Sequence, residues 1–137
     1  MSGRHVDVFF FGLFMDEDVL RGRETQPVNP RRGHVEGFAL RIGRRAALVP
    51  RPGALAHGMV FGLTNEELER LYAEPGLDRY RPQAVLVRLA EGGVIPALCY
   101  NLPEAPQPAE GREEYAARLR DVLTRLGFPK EYVASVS

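Results

Sequence analysis

A chain of 137 residues is long enough to bury a proper core without covalent staples, and one domain spanning residues 1–137 is expected. With 45% hydrophobic and 26% charged residues it is neither disordered nor fibrous, and eighteen basic residues cancel eighteen acidic ones, so no net field gathers nucleic acid or an anionic membrane. A small molecule is the expected partner.

The first segment, Val6 to Gly12, is rich in Val and Phe and apolar on both faces apart from Asp7, as a strand in the middle of a sheet requires. Val6 to Phe14 is too short, and too close to Asp16-Glu17-Asp18, to act as a signal peptide. Met15 to Leu20 places acids early and apolar residues late, which suits a short helix whose N-terminal end faces the strand's exit. Strand, turn and helix therefore meet at Gly12 to Phe14. Gln26 to Pro30 is expected to be a loop. His34 to Ile42 and Ala46 to Val49 follow as strands joined around Gly43-Arg44, then a turn at Pro50-Arg51-Pro52-Gly53 and a strand at His57 to Leu63. The glycines of that last strand point to close backbone approach. Thr64-Asn65-Glu66-Glu67 has capping-box spacing, and Leu68, Leu71 and Tyr72 share one helical face before Pro75-Gly76. Gln83 to Leu89 and Val94 to Tyr100 form a hairpin about Gly92-Gly93. Leu102 to Gly111 carries three prolines and reads as an extended surface loop or a lid. Tyr115, Leu119, Val122, Leu123 and Leu126 then make a helical stripe ended by Gly127 and Pro129.

The fold class expected from this order is α+β: a mostly antiparallel, barrel-like sheet with two or three flanking helices. No segment approaches the roughly 20 apolar residues of a membrane helix. Cys99, the one cysteine, lies in an apolar strand, where it reads as core rather than as a nucleophile, and a reducing cytoplasm is the expected compartment. Seventeen of the eighteen basic residues are Arg, including the pairs Arg31-Arg32 and Arg44-Arg45. Such forks hold carboxylates and phosphates, but they also occur at solvated strand ends. No phosphate-binding glycine motif, metal-ligand spacing or Gly-x-Ser-x-Gly elbow is present, so neither a metal nor a cofactor is expected.

The remaining constellation is a backbone turn, a lone acid and aromatic hydroxyls. Phe11-Gly12-Leu13-Phe14 leads from a buried strand to a helix N-terminus whose N–H groups can bind a carboxylate or an oxyanion. A Gly-rich strand, His57-Gly58-Met59-Val60-Phe61-Gly62-Leu63-Thr64, and a Leu-rich helix follow, then Glu74 near Gly76, Tyr80 and the hairpin. In this order the sequence resembles the gamma-glutamylcyclotransferase-like (AIG2-like) family over residues 6 to 102.

The resemblance implies a six- or seven-stranded barrel that cyclises the gamma-glutamyl group of an amine or dipeptide to 5-oxoproline without metal or cofactor. Phe11, Gly12, Leu13 and Phe14 fall on the family's Tyr-Gly-Ser-Asn turn, which holds the substrate carboxylate, and only Gly12 matches outright. Glu74 falls on the catalytic Glu, displaced by the intervening Pro75; Tyr80 and Tyr100 resemble the ligand-orienting aromatics. A carboxylate at position 74 would move a proton from the attacking amine to the departing one, and ring closure within one molecule makes a sparse site sufficient. Each residue also has a plainer reading. Glu74 can be a solvated acid facing Arg79 or Arg81, Phe11 to Phe14 can be core, and Tyr80 and Tyr100 can be packing residues. Leu13 and Phe14 lack the polar side chains of the family turn, so a non-enzymatic binding or interaction module of the same fold, or an accessory domain to an amide hydrolase, stands as the alternative.

Overall fold

The computed structural model describes residues 4–75, 77–106 and 112–136. The first strand, β1 (His5–Phe10), is buried from Val8 onward and carries apolar residues on both faces because it is flanked on both sides. It pairs antiparallel with β3 (Ala46–Thr64), from His5 opposite Thr64 to Phe10 opposite Met59, and meets β5 (Val94–Asn101) in parallel at Val8 and Leu98. With β2 (Val28–Ile42) and β4 (Arg81–Leu89) the strands close a barrel in the order β1-β3-β2-β4-β5. Gly92 and Gly93, both with positive φ, make the expected turn between β4 and β5.

Five strands suffice because β2 and β3 are long, 15 and 19 residues. The turn expected at Pro50 to Gly53 does not reverse the chain. Glu36 pairs with Leu55 and Phe38 with Pro50, so Arg51 to Ala54 of β3 bulge opposite Gly37 alone. Pro and Gly residues there bend one continuous hairpin, since a bulge tolerates a missing ladder donor. What the sequence divides into separate strands is one bent pair. Likewise β2 begins inside the segment expected as a loop, at Val28.

Close approach explains Gly58, where a Cβ would collide with the Phe10 carbonyl and lie 2.6 Å from the Phe9 ring. The core formed around Phe9, Phe61, Leu63 and Val8 is almost wholly enclosed, each such side chain contributing roughly 1.5–3 kcal/mol by its removal from water.

After β1 a 3-10 turn (Leu13–Met15) leads into α1 (Glu17–Arg21), whose N-cap Asp16 accepts a hydrogen bond from the Asp18 amide. The helix α2 (Asn65–Leu71) has both halves of its capping box: the Glu67 amide donates to the Thr64 hydroxyl, and the Thr64 amide to the Glu67 carboxylate. Burial alone would push the Glu67 carboxyl up, but hydrogen bonds from Thr64 and from the Gln26 amide outweigh it and hold the group below its ordinary value. The third helix, α3 (Arg112–Arg125), buries Ala116, Leu119, Val122 and Leu123 and lies against β2 and the 3-10 turn; Gly127, at φ 80°, ends its stripe. A further short helix, α4 (Lys130–Ser135), sets Tyr132 against His57 at 4.7 Å between ring centres. Of the Leu102 to Gly111 loop, residues 107–111 lie outside the described residues. Among the described residues, no helix is long and apolar enough to cross a membrane.

Candidate functional site

The exit of β1 opens into a cavity of about 190 Å³. Its floor is the turn itself: Phe11 is buried and Gly12, Leu13 and Phe14 are half-buried. The 3-10 turn forms because the Met15 amide donates to the Gly12 carbonyl at 3.0 Å, which turns the chain sharply after the strand. The Leu13 amide donates to the Tyr115 hydroxyl at 3.3 Å. Among the described residues, the amides of Gly12 and Phe14 have no hydrogen-bond partner.

Four tyrosines form the walls. Tyr72, just past the end of α2, stacks on Tyr100 of β5 with ring centres 4.1 Å apart and planes 9° from parallel. Phe14 meets Tyr72 edge-on at 6.3 Å, and Tyr80 leans on it at 5.9 Å. The Tyr80 hydroxyl donates to the Ala46 carbonyl. Burial pushes the hydroxyls of Tyr72, Tyr80 and Tyr115 up, and that of Tyr100 as well, so each stays protonated and able to donate at neutral pH. Among the described residues the hydroxyls of Tyr72 and Tyr100 have no hydrogen-bond partner and are the ones free to donate to a ligand.

The charged residues lining this cavity are all arginines: Arg23 after α1, Arg45 before β3 and Arg118 on α3. Glu74 is not itself a lining residue. Its carboxylate forms an ion pair with the Arg23 guanidinium, which places it one residue behind the wall. Neither arginine expected beside it takes that role; Arg81 donates instead to the carbonyls of Asp78 and Tyr80. Thus Phe11, Gly12, Leu13, Phe14, Tyr80 and Tyr100 surround one cavity, and Glu74 reaches it through Arg23.

Tyr72, Tyr115, Arg23, Arg45 and Arg118 line the cavity without having been singled out as site residues. Tyr72 and Tyr115 each sit at one end of an apolar helical stripe, where a phenolic hydroxyl on an otherwise apolar face is the only local signal. Of the Arg44-Arg45 pair, Arg44 is the solvated member and Arg45 faces the cavity. Cys99 is buried, and burial pushes its thiol up to about 12, as befits a core residue rather than a nucleophile. Among the described residues, no three His, Cys, Asp or Glu side chains converge to hold a metal ion.

The backbone is similar to several solved structures. A gamma-glutamyl cyclotransferase superposes with a TM-score of 0.77 at 18% identity, covering 97% of this chain and 88% of that one. An uncharacterized protein from Homo sapiens gives 0.78 at 18% identity, covering 98% and 89%. YkqA from Bacillus subtilis gives 0.75 at 19% identity; 95% of this chain corresponds to 52% of that protein. No curated protein matches the sequence. At these identities the superpositions establish the fold, and membership comes from the sequence pattern: the model of the gamma-glutamyl cyclotransferase, AIG2-like family matches residues 8–118. A barrel whose first strand empties into a Gly-containing turn, matched by that pattern over most of its length, belongs to the gamma-glutamyl cyclotransferase, AIG2-like family.

Proposed function

We propose that the cavity binds a gamma-glutamyl amine or dipeptide and cyclises it to 5-oxoproline. The observation that carries this reading is the anchoring of Glu74 on Arg23, a guanidinium lining the same cavity as the Phe11 to Phe14 turn. In the reaction the substrate's α-nitrogen attacks its γ-carbonyl carbon, a C–N bond forms, and the original amide C–N bond breaks. The α-ammonium loses two protons in becoming the lactam N–H; Glu74 carries them one at a time to the departing nitrogen, which leaves as an ammonium, and exchanges Arg23 for the substrate's nitrogen as it does so. The amides of Gly12 and Phe14 are available to the carboxylate or to the developing oxyanion. Tyr100 and Tyr72 offer hydroxyl donors, while Tyr80, held by Ala46, contributes its ring. The buried, unpaired Cys99 fits a cytoplasmic protein.

A second reading, a binding module without turnover, is favoured by the Tyr115 hydroxyl, which occupies the Leu13 amide at the turn. Incubation with a panel of gamma-glutamyl amino acids and amines, with 5-oxoproline followed by mass spectrometry, separates the two. Release by the wild type, reduced at least about 100-fold in Glu74→Gln, is the expected result. Equal release by both proteins removes Glu74 from the chemistry. Binding without release supports the module.

A further inference from the structure

The cavity's charge is one-sided. Its three charged lining residues are guanidiniums, and Glu74 neutralises only Arg23. Among the described residues, Arg45 and Arg118 have neither an ion pair nor a side-chain hydrogen bond. Arg45 is half-buried in the connection between β2 and β3, next to Ala46, whose carbonyl fixes Tyr80. Arg118 stands three residues after Tyr115 on α3, on the same helical face. Tyr115 links these arginines to the turn, since its hydroxyl meets the Leu13 amide and its ionisation responds to the charge of both. Of the two, Arg45 is the half-buried one, and a half-buried guanidinium left unpaired against an apolar wall is an expensive arrangement unless an anion completes it; Arg118 is exposed and adds a second donor beside it. The adjoining wall is aromatic, built on the Tyr72–Tyr100 stack. Anion-binding guanidiniums and rings therefore line the same cavity as the turn, whose amides would hold the gamma-glutamyl group.

Building on the cyclotransferase reading, we propose that Arg45 and Arg118 are specificity-determining residues. They hold a carboxylate on the departing amine, so that the preferred substrate is a gamma-glutamyl amino acid with an aromatic side chain rather than a simple gamma-glutamyl amine. The reaction balance is unchanged: the amide C–N bond breaks, the released nitrogen takes the two protons that left the α-nitrogen, and the arginines keep the second carboxylate in place throughout.

The test is calorimetric binding to Glu74→Gln, which suppresses turnover, with two matched ligands. Gamma-glutamyl-phenylalanine carries the second carboxylate; gamma-glutamyl-phenethylamine has the same ring and lacks it. The dipeptide is expected to bind roughly tenfold or more tightly than the amine. Adding Arg45→Gln or Arg118→Gln should shrink that preference to within about threefold, by weakening the dipeptide far more than the amine. Equal affinities of the two ligands, equal weakening of both by the arginine substitutions, or no binding of either would overturn the assignment. The comparison of ligands on an intact rim keeps the test valid should an arginine variant fold poorly. Parallel measurement of 5-oxoproline from the wild type separates the two ideas. An arginine-dependent preference without product would sink the cyclotransferase reading alone, and product formed without preference would sink the arginine assignment alone.

Discussion

Gly12 is needed for space rather than for backbone freedom. Its φ of −115° and ψ of −150° are extended values open to other residues, but a Cβ there would lie 2.6 Å from the Tyr115 hydroxyl and 3.6 Å from the Ala46 Cβ. Gly12→Ala must therefore displace the tyrosine and break its hydrogen bond with Leu13. The expected cost is about 1–3 kcal/mol, visible as a lower midpoint of thermal unfolding, and Tyr115→Phe in the same chain should recover part of it by removing the offending oxygen. Identical midpoints for the single and double variants would mean that the hydroxyl is not what the new methyl group meets. The turn was legible in the sequence because a run of apolar residues gives way to Gly and then to acids over a few positions. Tyr115 was not, since it lies 102 residues from Leu13 and no local period encodes that meeting. The arginines were hidden for a related reason: the sequence shows a pair at Arg44-Arg45, and only the barrel decides which of them turns inward.

Among the elements, α2 was the most legible, since Thr64 and Glu67 at cap spacing announce both halves of the box. The sequence did not reveal the third donor, the Gln26 amide at 2.6 Å, which extends the cap across to the segment before β2. This makes Glu67 a tie between two elements as well as a cap. Its folded-state value lies below the ordinary 4.5, so the stability it adds is present above pH 4.5 and is lost as the pH falls through the lower folded value. Glu67→Gln should accordingly cost about 1 kcal/mol at pH 7, with the difference from wild type shrinking below pH 4.5 in denaturant titrations. A difference independent of pH would assign the effect to packing. The opposite case is Pro50 to Gly53, where turn-forming residues bend a strand without reversing it. Local chemistry specified a deviation from straight pairing, and the pairing of flanking residues with β2 determined which deviation it became.

For the molecule as a whole, the mostly antiparallel sheet followed from closely spaced strands and tight turns, whereas its closure could not be read locally. Closure depends on Val8 finding Leu98, a parallel contact between distant parts of the chain. By contrast, β2 and β3 meet at Ile42 and Ala46, and β4 and β5 meet across Gly92-Gly93. Short loops close first and cheaply, so the two hairpins are expected to form early and β1 to be inserted last, with its seam the first to open again. Hydrogen exchange should then be faster along β1 and β5 than in the β2–β3 hairpin, and uniform protection across all strands would contradict this order. The binding turn is the direct continuation of β1. The cavity consequently exists only while the seam is shut, and a small molecule seated against Gly12 works as a latch: it slows opening, lengthens the life of the folded chain, and makes resistance to proteolysis a measure of how much ligand is present.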